Sequence, residues 1–258
     1  MDCLQVEKTG VALVLTIDRV AVGNSLDLRT AEALSKAVSD STADNNLRAI
    51  VITGAGERFF CAGGDLKAYQ AIDSRELLES TFGRVRILLD QFESCQLPII
   101  AAINGYALGG GMELALACDL RIATGDAMIG LPQSRLGLIP GWNGMERLVE
   151  TVGRSRAMHL LLKGERLDAK RAEEIGLIDF VVDGSAMQAA VDYASSLQEN
   201  APLSLGASKQ AVLSALRSPR IESRPVTSAL FERLWFSDDH REAERAFMEK
   251  RSPSFKGH

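Results

Sequence analysis

Three times before residue 120 the chain passes from a short apolar strand, through a loop, into a helix. Residues 11–17 (VALVLTI) read as a buried strand, and 28–40 carry Leu28, Ala31, Leu34 and Val38 at helical spacing. Residues 49–53 (AIVIT) lead through a glycine-bearing loop to Lys67, then into a long helix with Leu78, Phe82, Val85, Leu89 and Phe92 on one face. After Pro98, residues 99–103 lead through a second glycine loop into a helix from about Gly111. Short strands are predicted at 120–123 and 128–130, with mostly helix beyond them. The alternation predicts an α/β fold with a core of repeated β-β-α units. An amphipathic run at 187–197 ends near Asn200, and Pro202 opens a stretch with no strand candidate. Residues 1–200 are therefore expected to form the core that carries the site. Residues 201–258 are expected to form a helical region whose apolar positions, among them Leu203, Ala207, Phe231 and Trp235, need another surface to cover them.

Composition narrows the function classes. A formal charge of −5 argues against a general nucleic-acid binder, which needs a concentrated basic surface. No apolar run is long enough to cross a bilayer. The N-terminus MDCLQVEKTG lacks a basic and then apolar leader, so a cytoplasmic protein is expected, or a mitochondrial matrix protein if a transit peptide was removed. Cys3, Cys61, Cys95 and Cys118 are scattered without a C-x-x-C pair, so reduced thiols and no metal site are expected.

Familiar catalytic motifs fail on particular residues. TGAGERFF (53–60) begins as G-x-G after a strand, but Phe59 stands where a dinucleotide loop needs its third glycine. The run Gly109–Gly111 lacks the Lys-Ser/Thr ending of a phosphate loop. There is no G-x-S-x-G nucleophile elbow, and His159, His240 and His258 sit in contexts that suit a packed or partly solvated, a surface and a terminal residue. Two glycine loops remain, each after a buried strand: FFCAGGDLK (59–67) and NGYALGGGMEL (104–114). Either alone reads more readily as a tight turn. Together they can present two backbone N–H groups to one oxygen, as an oxyanion hole does, beside a lone acid, Glu113, in an apolar helix.

These motifs resemble those of the crotonase (enoyl-CoA hydratase/isomerase) superfamily. The similarity runs from Asn24-Ser25-Leu26 through RAIVITGAGERFFCAGGDLK, PIIAAINGYALGGGMELALACDLRIA, LGLIPG and AKRAEEIGLID to AFMEKRSPSFKGH. It implies a crotonase-like spiral of β-β-α units that binds an acyl-CoA thioester, with trimers or dimers of trimers built through C-terminal helices. Coenzyme A, as part of the substrate, is the only cofactor it implies. By the resemblance, the amides of Gly64 and Gly110 form the oxyanion hole. Asp65, Leu66 and Lys67 line the coenzyme groove, and Ala62 offers a backbone contact to the adenine end. Lys67 suits either a phosphate contact or a solvated helix start. Phe247 and Lys250 match a terminal segment that in this family reaches the coenzyme of a neighbouring subunit.

Three departures from the family pattern bear on chemistry. Hydratases of the family use two glutamates; Glu113 matches the first, but the second position, in GLPQSRLGLIPG, is Gln133. An amide can hydrogen-bond but cannot exchange a catalytic proton. Trp142, Asn143 and Met145 stand where hydratases usually have small residues, and Trp142 suits either a reshaped acyl pocket or a packed structural indole. Arg19-Val20-Ala21 replaces the family's Pro and Lys near the coenzyme phosphates, with Arg19 left to supply the charge. Three readings follow: a lyase or isomerase with Glu113 as its one carboxylate, an alkylmalonyl-CoA-type decarboxylase in which Gln133 binds the substrate carboxylate, and a non-catalytic acyl-CoA binder.

Overall fold

The computed structural model describes residues 3–258 and, at Leu66, the backbone alone. In chain order the elements are β1 (Leu4–Thr9), β2 (Ala12–Ile17), α1 (Leu28–Ser41), β3 (Ala49–Gly54), β4 (Phe59–Cys61), α2 (Leu66–Tyr69), α3 (Arg75–Ser94), β5 (Ile99–Ile103), β6 (Tyr106–Leu108) and α4 (Gly110–Leu116). There follow β7 (Leu120–Thr124), β8 (Met128–Gly130), α5 (Gly144–Lys163), β9 (Arg166–Asp168), α6 (Ala169–Glu174), β10 (Phe180–Val182), α7 (Ala186–Ser196), α8 (Pro202–Arg217), α9 (Arg220–Trp235) and α10 (Asp238–Glu249).

The strands divide between two sheets, one of order β1-β2-β3-β5-β7-β10 and one of order β4-β6-β8-β9. Each central turn of the chain puts one strand in the large sheet and the next in the small sheet before a helix follows. That is the β-β-α spiral expected from the sequence. β3 and β5 are buried on both faces, which explains their unbroken apolar runs. Side chains alternate across the sheet: Ile50 and Ile52 face the main core with Leu34, Leu89 and Phe92, whereas Ala49 and Val51 face the layer under α7 with Ala190 and Ala194. Asp27 and Ser74 cap α1 and α3 by accepting from the amides of Thr30 and Leu77.

Several strands lie where the sequence predicts loop or helix. β4 and β6 occupy the glycine loops themselves, and β9 and β10 interrupt the region expected to be helical. Each is only three residues long, too short for a period-2 pattern to stand out. β1, also unanticipated, is an edge strand with most of its residues exposed. In α3 the buried face is Val85, Leu88, Leu89 and Phe92; Leu78 is exposed, and Phe82 both packs against the core and lines a cavity.

Helix α8 is anchored to the core by a buried lysine. Lys209 of α8 reaches Asp119 at 2.7 Å and donates to the carbonyls of Phe92 (2.6 Å) and Leu97 (3.3 Å). Beyond that anchor apolar side chains face outward, including Ile221, Phe231, Trp235 and Phe236.

Candidate active site

The two glycine loops meet. In the first, Gly63 takes φ +110°, and Leu26 clamps the loop by donating to the Gly63 carbonyl (2.8 Å) and accepting from Asp65 N (2.9 Å). The second loop turns at Gly109, with φ +57°, and α4 starts at once. A side chain at Gly111 would overlap the Cys61 carbonyl oxygen, so only glycine lets α4 pack this close to β4. Gly110 N lies 3.1 Å from where a Gly63 Cβ would stand. Among the described residues, neither the Gly64 nor the Gly110 amide donates to a protein acceptor.

One turn into α4, Glu113 is 2% exposed. Its Oε1 accepts from the backbone amides of Trp142 (2.7 Å) and Gly144 (3.1 Å), and its Oε2 accepts from Gln133 Nε2 (3.1 Å). Burial raises the Glu113 pKa, and these amide donors work against it. Gln133 sits in the 3₁₀ turn Pro132–Leu136 that follows β8. Its Oε1 and the indole Nε1 of Trp142 are both buried without a protein partner. The six-membered ring of Trp142 lies against Gly110, where an added Cβ would collide with it, and the indole meets the Phe82 ring in an edge arrangement, with centroids 6.5 Å apart.

Gly64, Gly110, Glu113, Gln133 and Trp142 all line one cavity of about 490 Å³. Ala62, Asp65 and Lys67 border the same space. The Leu66 side chain lies outside the described residues. Arg19 does not border the cavity. Its guanidinium is held by Asp65 (2.8 Å), Asp27 (3.1 Å) and the Ser25 carbonyl. Asp65 in turn caps α2 through the amides of Lys67 and Ala68; burial raises its pKa, and Arg19 with those amides brings it below the usual range. Phe247 is 84% exposed near the end of α10, where Lys250 takes the left-handed conformation. Neither residue borders the cavity within this chain. Burial pushes the Cys61 thiol up to about 12, which leaves it inert as a nucleophile. Among the described residues no three His, Cys, Asp or Glu side chains are grouped to hold a metal ion.

The backbones of Gly64 and Gly110 and the buried carboxyl group of Glu113 thus border one cavity. The sequence model described as enoyl-CoA hydratase/isomerase matches residues 7–258. The chain belongs to the enoyl-CoA hydratase/isomerase family. It is similar to 2,3-dehydroadipyl-CoA hydratase of Escherichia coli, 36% identical over 258 residues and covering all of both chains. (E)-Benzylidenesuccinyl-CoA hydratase of Thauera aromatica is 37% identical over 244 residues, 94% of either protein. The crystal structure of enoyl-CoA hydratase from Bacillus anthracis superimposes with a TM-score of 0.95 at 34% identity, over 100% of both chains.

What sequence reasoning missed around Glu113 is its backbone support. The donors come from the Gly141–Gly144 turn, where the side chains Trp142 and Asn143 drew attention but the amides do the binding. A signal was present in Gly144: a Cβ there would strike the Glu113 side chain.

Proposed function

We propose that the protein moves a proton on the acyl portion of a CoA thioester, as an isomerase- or hydratase-type enzyme with one ionisable catalytic group. The thioester oxygen lies between the amides of Gly64 and Gly110, and Glu113 takes or gives the proton at the adjoining carbon. A carboxylate whose pKa is raised by burial is suited to both roles near neutral pH. Ala62, Asp65, Leu66 and Lys67 form the coenzyme side of the cleft. Phe247 and Lys250, far from this chain's own cavity, serve the coenzyme of a neighbour in a trimer or dimer of trimers. The relatives named as hydratases support an enoyl thioester as the substrate class.

The observation that carries this reading is the Glu113–Gln133 pair: at these two cavity-lining positions stand one carboxylate and one amide, where the family resemblance implies two acids for water addition. The decarboxylase alternative draws less support. Gln133 gives its N–H to Glu113 and keeps its acceptor oxygen free, and an acceptor repels a substrate carboxylate.

The test is product identity with crotonyl-, 3-enoyl- and alkylmalonyl-CoA in deuterated water. Double-bond migration with deuterium gained from solvent, lost in Glu113→Gln, is the expected result. Carbon dioxide released from alkylmalonyl-CoA by both native protein and Glu113→Gln would establish the decarboxylase instead, and no turnover of any thioester would leave the binder.

A further inference from the structure

Two peptide groups of the Gly141–Gly144 turn lie between an arginine and Glu113. The peptide joining Gly141 to Trp142 accepts at its oxygen from Arg86 Nε (2.9 Å) and donates from its nitrogen to Glu113 Oε1 (2.7 Å). The peptide joining Asn143 to Gly144 accepts from Arg147 Nη1 (3.3 Å) and donates to the same oxygen (3.1 Å). Arg147 Nη1 also holds the carbonyl of Trp142 between them, at 3.0 Å. A cation at a peptide oxygen draws electron density along the amide and makes the N–H at its other end a stronger donor. Guanidinium groups keep their charge at every working pH.

The geometry points to Arg86 and Arg147 as positioning residues that act on Glu113 through these two peptides, fixing the turn and favouring the ionised carboxylate that burial disfavours. The inference rests on Glu113 being the acid/base of the proposed reaction. Neither arginine touches the cavity's contents, so neither is a catalytic residue.

The surrounding charges tune the two arginines differently. Arg147 is buried and compensated by Asp90 (2.7 Å) and Glu93 (2.6 Å) of α3. Glu93 is shared with Arg217 of α8, which also holds Glu150 of α5. Arg86 has one ion-pair partner among the described residues, Glu79, at 2.9 Å and largely exposed. The other titratable or charged side chains that line the cavity with Glu113 are Asp65, Lys67 and Tyr69, and Cys61 packs against Gly111. The direct hydrogen bonds to Glu113 come from Gln133 and the turn amides.

The titration of Glu113 can be read without substrate, so its outcome is independent of which thioester is turned over. Trp142 and Trp235 are the only two tryptophans, and in a Trp235→Phe background the fluorescence of Trp142 reports the carboxyl group bonded to its own backbone. Glu113→Gln should abolish the inflection, which lies above the ordinary glutamate value of about 4.3. Arg86→Met and Arg147→Met should each move the inflection upward by about half a unit to one unit, and Arg86→Lys should move it less. Glu79→Gln, an exposed change that relieves Arg86 of its counter-charge, should move it downward. This last variant keeps the test decisive if loss of Arg147 prevents folding. An inflection absent in the parent, or unmoved by both Arg86→Met and Glu79→Gln, would overturn the proposal, whereas loss of turnover with these shifts intact would count only against the proposed reaction.

Discussion

Gln133 donates its side-chain amide to Glu113 Oε2 across 3.1 Å. The amide and the buried carboxylate that line the cavity are therefore in direct contact. With an amide at 133, Glu113 has a donor that stabilises its ionised form, and no second acid with which to share a proton.

Replacing that donor by an acid should change both the chemistry and the titration. Gln133→Glu places two carboxyl groups within hydrogen-bond distance, and they cannot both ionise, so the pair should titrate in two separated steps with one proton held to higher pH. Hydration of crotonyl-CoA should rise by about a hundredfold or more, the usual effect of one positioned acid/base group. Steady-state rates for native protein and Gln133→Glu check this. Native hydration already as fast as the variant's would show that Glu113 with a bound water suffices.

Glu113→Gln should lose proton transfer by a factor of about 10²–10⁴ while gaining stability at neutral pH. The sign follows from burial, which raises the folded pKa of Glu113. Below the ordinary glutamate value, about 4.3, folded and unfolded chains both hold the proton and ionisation costs nothing. As pH rises above it the unfolded chain ionises first, so stability falls until the folded pKa is passed and then keeps a fixed penalty. A glutamine accepts from the Trp142 and Gly144 amides through its oxygen without that penalty. Urea denaturation should find the advantage of Glu113→Gln near zero at acid pH and growing upward through that window; an advantage that shrinks as pH rises would contradict the assignment.

The spiral core was legible because its main strands are buried on both faces. Runs such as AIVIT and IIAAI announce themselves. The second sheet was not, since strands of three residues inside glycine loops carry no periodicity. The residues around Glu113 split in the same way. Gly64, Gly110, Glu113 and Gln133 were found as a pattern, and the structure places them around one cavity. The amides of Trp142 and Gly144 and the carbonyl contacts of Arg86 and Arg147 were invisible, because backbone donors leave no residue type to read. Arg19 shows the converse: a charge that looks free in sequence is taken up by Asp27 and Asp65 once the chain folds.

Trp142 should control the size of the acyl site. Its ring lies on Gly110 and against Phe82, so it occupies space beside the Gly110 backbone in the cavity. Trp142→Ala should cost about 3–5 kcal/mol in stability, yet leave the backbone donor to Glu113 in place. The variant should accept longer or branched acyl-CoA substrates that native protein turns over poorly, raising kcat/KM for them relative to crotonyl-CoA. Denaturant titration and a chain-length panel check the two halves; an unchanged chain-length preference would make the indole a packing residue only.

The outward apolar face of the C-terminal helices sets the last expectation. Lys209 fixes α8 to the core through Asp119 and two carbonyls, but Ile221, Phe231, Trp235 and Phe236 remain in solvent on a single chain. Covering several large apolar side chains contributes about 1.5–3 kcal/mol each when burial is complete, enough to drive association. Light scattering at micromolar concentration should find a trimer or hexamer, and Phe231→Glu should shift it toward monomer while Phe247→Ala leaves the assembly unchanged. If Phe247 and Lys250 serve a neighbour's coenzyme, Phe247→Ala should weaken acyl-CoA binding in the intact assembly. Dissociated Phe231→Glu should show the same loss with Phe247 still present, because its neighbour is gone. A native protein that stays monomeric, or a monomeric variant that binds acyl-CoA as tightly as the assembly, would place the whole coenzyme site within one chain.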